Sequence, residues 1–106
     1  MKNLSIVIPI YNESRNLKKL SELISKFIKL KNYEVIFVDD NSNDGSLEVL
    51  KLINRKNRNF KYFIRKNKIK DLSQSCIIGF KKSIYENILV MDGDLQHDPK
   101  DINKMI

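Results

Sequence analysis

Tryptophan is absent from the chain, cysteine and histidine each occur once, proline twice and glycine three times. A lone Cys76 excludes an internal disulfide and a multi-cysteine zinc site, and a lone His97 excludes a three-histidine metal centre. So little proline and glycine sets the chain apart from collagen-like and Pro/Gly-rich disordered compositions. No hydrophobic run approaches the roughly 20 residues that cross a bilayer. The apolar opening at residues 4–10 is followed by Glu13 and a polar helical pattern, which is not a signal-peptide layout. Neither G-x-G-x-x-G nor G-x-x-x-x-G-K occurs, so the dinucleotide and P-loop fingerprints are missing.

What is present is 106 residues with 20 Lys+Arg against 13 Asp+Glu, a formal charge of +7. That length fits one small domain. The positive balance permits attraction to nucleic acid, nucleotide phosphates or acidic lipid headgroups, without choosing among them. The lysines are scattered and expected mainly on solvated helix faces; the densest basic group is Arg65, Lys66, Lys68 and Lys70. A basic nucleic-acid-binding module stays a remote alternative, because no aromatic platform or recognition motif accompanies the charge, and no nucleic-acid partner is expected.

The hydrophobic pattern alternates strand and helix. Residues 4–10 are β-branched with little alternation, as in a strand covered on both faces, and Pro9 suits its end. Ser14 is expected to cap a helix carrying Leu17, Leu20, Ile24, Phe27 and Ile28 at helical spacing and fading near residues 30–32. A second strand, 33–38, runs into Asp39-Asp40, and a second helix carries Leu47, Leu50 and Ile53. Phe60, Tyr62 and Ile64 alternate as a third strand, with Phe63 breaking a one-sided reading. Leu72, Cys76, Phe80 and Ile84 predict a third helix over 71–85, with Cys76 a small core residue, and 88–91 is a fourth strand. Asp98-Pro99-Lys100-Asp101 carries a helix-start signature. The fold class expected is α/β: a Rossmann-like open parallel sheet of about four strands with flanking helices. No strand follows to cover the edge of the fourth, so the chain reads as cut off within a larger fold.

In such a sheet ligands collect at the carboxyl ends of the strands. Tyr11, Asn12 and Glu13 follow the first strand; Asp39 to Asp44 follow the second; Asp92, Asp94, Gln96, His97 and Asp98 follow the fourth. Asp92-Gly93-Asp94 offers two hard oxygen ligands suited to Mg2+ or Mn2+ with phosphate oxygens completing the shell; alone such a string is more often a turn, and its place at a strand end beside a second acidic cluster favours the metal. Asp39 and Asp40 can accept hydrogen bonds from a base edge or ribose, or cap the next helix. Tyr11 can stack on a base. Arg65, at the third strand's exit, can pair with a phosphate or with one of the acids. An aspartate-nucleophile phosphohydrolase would carry its Asp-x-Asp after the first strand, and a receiver domain its acidic pair there too. Here they follow the fourth and second strands.

Three stretches carry a resemblance: Ser5-Ile6-Val7-Ile8-Pro9-Ile10-Tyr11-Asn12-Glu13; Val35-Ile36-Phe37-Val38-Asp39-Asp40-Asn41-Ser42-Asn43-Asp44-Gly45-Ser46; and Val90-Met91-Asp92-Gly93-Asp94-Leu95-Gln96-His97-Asp98-Pro99. In this order they resemble the inverting glycosyltransferases of family 2, with a GT-A type fold, and most closely the polyprenyl- or dolichyl-phosphate mannosyltransferase-like branch. The resemblance implies that residues 1–106 are the N-terminal, nucleotide-sugar-binding half of such a domain. It implies a donor that is GDP-mannose or a UDP-sugar, a polyprenyl-phosphate acceptor, and work at the cytoplasmic face of a membrane, possible here only peripherally. Pro9, Tyr11, Glu13, Asp39, Asp40 and Arg65 would bind the nucleotide sugar; Asp92 and Asp94 would hold Mg2+ or Mn2+ and the diphosphate, with Gln96 nearby. No catalytic base is assigned, since the family's base and acceptor residues lie further along than this chain reaches, and a noncatalytic nucleotide-sugar-binding fragment is the alternative. Ile69-Lys70-Asp71-Leu72, Tyr85 and Asp98 depart from the family's usual glycines and Pro-Pro, which bears on substrate fit.

Overall fold

Strand and helix alternate along the chain because short, nearly continuous apolar runs alternate in it with apolar residues spaced at a period of 3.6. A computed structural model describes residues 3–66 and 71–91. It runs β1 (Asn3–Ile10), α1 (Ser14–Phe27), β2 (Asn32–Asp39), α2 (Ser46–Lys56), β3 (Phe60–Ile64), α3 (Leu72–Lys82) and β4 (Ile88–Val90). The strands form one sheet in the order β3-β2-β1-β4. Every pairing is parallel, with Ile10 opposite Asp39 and Asp39 opposite Ile64. All four carboxyl ends therefore meet one edge, which is the expected α/β, Rossmann-like arrangement.

Helices cover both faces of the central strands, which explains why those strands do not alternate. On one face Leu17, Leu20 and Ile24 of α1 and Leu50 and Ile53 of α2 pack on Ile6, Ile8, Val35, Phe37 and Phe60. Fully burying each of those three α1 side chains is worth about 1.5–3 kcal/mol as an upper bound. On the other face Val7, Ile36 and Val38 meet Phe63 and Ile78. Phe63 thus points away from Phe60 for a reason: both sides of β3 carry neighbours. Pro9 is buried near the end of β1. The Ser5 N–H and Val7 C=O bond to the β4 side. The same parity aims the Pro9 nitrogen past the last paired residue, Val90, where no donor is required.

Two helices end sooner than their apolar spacing implies. The first stops at Phe27, and Ile28, extended at φ −72 and ψ 128, leaves it. The third stops at Lys82 rather than Tyr85. Its expected stripe is also not its buried face: Phe80 and Ile84 are 44% and 65% exposed, and Cys76 is only half-buried. Ser75 and Gly79 face the sheet instead. A Cβ on Gly79 would stand 2.2 Å from Val7 Cγ1, so the helix lies closer to β1 than any larger residue allows. Gly79→Ala is expected to destabilise by overpacking, about 1–3 kcal/mol, against a helix-propensity gain of about 1 kcal/mol. In urea unfolding, V7A/G79A should be less destabilised than the sum of the two single variants.

At the amino edge of the sheet, Glu34 is buried and binds three elements together. It accepts from Ser5 Oγ at 2.5 Å, from the Ile84 N–H at 2.6 Å and from Lys61 Nζ at 2.9 Å. Burial alone pushes its carboxyl up; the bonds from Ser5, Ile84 and Lys61 together outweigh that and hold it below its ordinary 4.5. At the sheet's other margin β4 pairs with β1 alone among the described strands, and Ile88 and Val90 are each 39% exposed. Among the described residues no helix is long and apolar enough to cross a membrane.

Candidate functional site: the carboxyl edge of the sheet

Two loops leave adjacent strands at this edge, one from β1 and one from β2, and they are tied to each other. The Asn12 N–H donates to Ser42 Oγ at 2.7 Å, and the Asn43 N–H donates to Asn12 Oδ1 at 3.1 Å. The Ser14 N–H donates to Asp44 Oδ2 at 3.1 Å. Asn12 and Asn41 take φ of 53° and 62°, a left-handed geometry that asparagine tolerates through its short polar side chain. Gly45 takes φ 89°, where any side chain is strained.

Asp39 ends β2 and is buried, 1% exposed. Its carboxylate accepts from both the N–H and the hydroxyl of Ser42. Ser42 thereby links the β1 loop to the Asp39 carboxylate, receiving from Asn12 and donating to Asp39. The three-residue spacing of Asp39 and Ser42 is the legible trace of such an aspartate turn. Asp40 takes a different part. Its Oδ1 pairs with Arg65 Nη1 at 2.7 Å, both side chains 8% exposed, and its Oδ2 accepts from the Asp71 N–H at 2.8 Å. Of the partners the sequence offers Arg65, the structure realises the acidic one. The Arg65 N–H also donates to the Asp39 carbonyl at 2.7 Å, so β2, β3 and the start of α3 are fastened behind Asp39. The Asp71 backbone has no side-chain signature and was not among the expected site groups.

Asp44 receives the Ser46 N–H and hydroxyl on Oδ1. Its slight burial acts to raise its carboxyl, while the bonds from Ser46 and Ser14 hold it below its ordinary 3.8. This corrects the expected role of Ser14: it is the first residue of α1 and no side chain caps that helix at Glu13. The orphan N–H is met from across the edge by Asp44. Glu13 accepts from Asn16 Nδ2 at 2.9 Å. With Asn12, Arg15 and Asp44 it borders a polar recess of about 460 Å³. Tyr11 stands beside this region, 43% exposed. Pro9, Tyr11, Glu13, Asp39, Asp40 and Arg65 are thus all at or just beneath one edge. Met91 is buried, its N–H bonded to the Val7 carbonyl, so β4 also delivers the chain to that edge. Asp92, Asp94, Gln96, His97 and Asp98 lie outside the described residues. Among the described residues no three His, Cys, Asp or Glu side chains group to hold a metal.

A parallel sheet with its polar loops gathered at the carboxyl edge is a Rossmann-like α/β arrangement, consistent with the nucleotide-binding part of a GT-A type fold. The model of glycosyl transferase family 2 matches residues 5–106, and the chain belongs to that family. It is related to the dolichyl-phosphate mannosyltransferase-like branch: the dolichol-phosphate mannosyltransferase of Pyrococcus furiosus is 40% identical over 105 residues, 96% of this chain and 28% of that protein. S. aureus TarS, solved with UDP-GlcNAc, superposes with a TM-score of 0.72 at 26% identity, over 89% of this chain and 27% of that one. The mannosyltransferase PcManGT from Pyrobaculum calidifontis, solved with GDP-Man and Mn2+, has a TM-score of 0.79 at 16% identity over 92% of this chain and 29% of its own. At that identity the likeness is one of fold. The chain spans well under half the length of these relatives.

Proposed function

We propose that this chain is the donor-binding half of an inverting glycosyltransferase that passes a sugar from a GDP- or UDP-linked donor to a polyprenyl phosphate. The observation that carries the reading is the loop pair fastened around Asp39 at the carboxyl edge, in a chain of family 2. Tyr11 offers a ring to the base, and Glu13 and Asp39 offer carboxylates to base or ribose. Pro9 shapes the floor from within β1. Asp40 and Arg65, occupied with one another, fix the end of β2 that bears Asp39 and bring a cation near the phosphates.

The donor set suits a divalent cation. Asp92 and Asp94, two residues apart in the sequence and following Met91 just past β4, supply hard oxygens of the kind Mg2+ and Mn2+ prefer. The bound ion would offset charge on the diphosphate leaving group. Gln96 would lie beside it. None of the described residues is assigned as the catalytic base. A polyprenyl-phosphate acceptor places the work at a membrane surface, and the dolichol-phosphate relative supports that choice.

Calorimetric titration tests the reading. GDP-mannose or UDP-glucose is expected to bind one site more tightly with Mn2+ than with a chelator. D39A should weaken binding about tenfold or more through loss of a charge-assisted contact, and D92A should remove the metal dependence. Equal, metal-independent binding of nucleotides, heparin and polyphosphate would instead identify a nonspecific basic surface.

A further inference from the structure

A second concavity starts beside the carboxyl edge, where Ser14 and Arg15 line both it and the polar recess, and leads away from that edge. It runs between α1 and α2 on the outer side of the sheet and encloses about 960 Å³. Val49 and Leu52 line its apolar part, and Leu52 is 58% exposed. Lys18 and Lys26 on α1 and Arg55 and Lys56 on α2 stand along its two banks, against one carboxylate, Glu22. Asp39, Asp40 and Arg65, which the proposed donor site uses, are not among the residues that line the groove.

We infer that this groove docks an acidic amphipathic helix of a partner protein, its apolar stripe on Val49 and Leu52 and its carboxylates toward the two basic banks. Three features select that occupant. The groove pairs an apolar floor with cations on both sides, so its complement is an apolar stripe flanked by acids. The long wall, α1, has 14 residues, about 21 Å, which matches a helix of roughly four turns. The surface is concave, a shape that suits a rod such as a helix better than a flat anionic bilayer. The basic banks also give a reason for clustering cations on helix faces that otherwise only need solvation.

The test uses the isotope-labelled chain and a synthetic helical peptide with leucines at i, i+3, i+4 and i+7 and glutamates on either side. The peptide is expected to shift the amide resonances of Val49, Leu52, Lys18 and Lys56, more weakly as salt rises. L52E, which alters an exposed position and should leave the fold intact, is expected to weaken binding about tenfold or more, as is K18E/K56E. No binding of the glutamate peptide, or equal binding of its scrambled or lysine counterpart, overturns the inference. So does binding to phosphatidylglycerol-containing vesicles that L52E leaves unchanged while the peptide does not compete. The nucleotide titration is independent of every one of these outcomes.

Discussion

Arg65→Ala is expected to lower folding stability by about 3–5 kcal/mol, the usual consequence of removing one partner of a buried ion pair. The guanidinium and the Asp40 carboxylate sit 2.7 Å apart with each side chain 8% exposed. Without Arg65 the carboxylate keeps the Asp71 N–H but loses the cation that justified its burial. A small domain is stable by about 5–15 kcal/mol in total, so the variant should approach the unfolding threshold. The pair's net worth is a separate quantity. D40L/R65M removes both charges together and should lose much less than R65A, because no ion is left uncompensated. Urea denaturation of the three variants decides the matter; an R65A loss below about 1 kcal/mol would mean that water reaches the pair freely.

Glu34→Gln is expected to cost about 1.5–3 kcal/mol near neutral pH, the range for a hydrogen bond to a charged group. The carboxylate is 1% exposed and serves Ser5, the Ile84 N–H and Lys61 at once. An amide can still accept, but it turns an NH2 toward one of those donors. The pH dependence follows from the direction of the shift. Its folded carboxyl titrates below the ordinary 4.5, so on acidification the unfolded chain takes up the proton first. Its stabilisation is therefore whole above the unfolded value and fades as pH drops through the folded one. The stability gap between wild type and E34Q should narrow from neutrality into that acid range. A gap that widens on acidification would reverse the sign and contradict the network.

The parts of this fold that could be read from the sequence are those written in long apolar runs. Val35-Ile36-Phe37-Val38 running into Asp39-Asp40 marks both a buried parallel strand and the edge at which it ends, and the structure has both. Arg65 was legible as a partner for a phosphate or an acid because it stands at the exit of β3, and the structure pairs it with Asp40, just past the neighbouring strand β2. What hydrophobic spacing conceals is a helix face made of small residues. Ser75 and Gly79 are nearly neutral on any hydropathy scale, yet closeness to Val7 is what seats α3. Long-range caps are hidden for a different reason. Asp44 meets the Ser14 N–H from 30 residues away, and local signatures describe only neighbours in the chain. The bond from the Asp71 backbone to Asp40 is invisible in the same way, since every non-proline residue carries that donor.

The bridge from Asn12 through Ser42 to Asp39 has a thermodynamic consequence for whatever enters there. Loops that would otherwise sample many shapes are already held in one before a small molecule arrives, and the loss of their freedom falls on folding. Association is then spared most of that ordering entropy, and more of each new contact survives as affinity. Cutting the bridge with S42A should accordingly show itself as a less favourable binding entropy before any change in the contacts themselves.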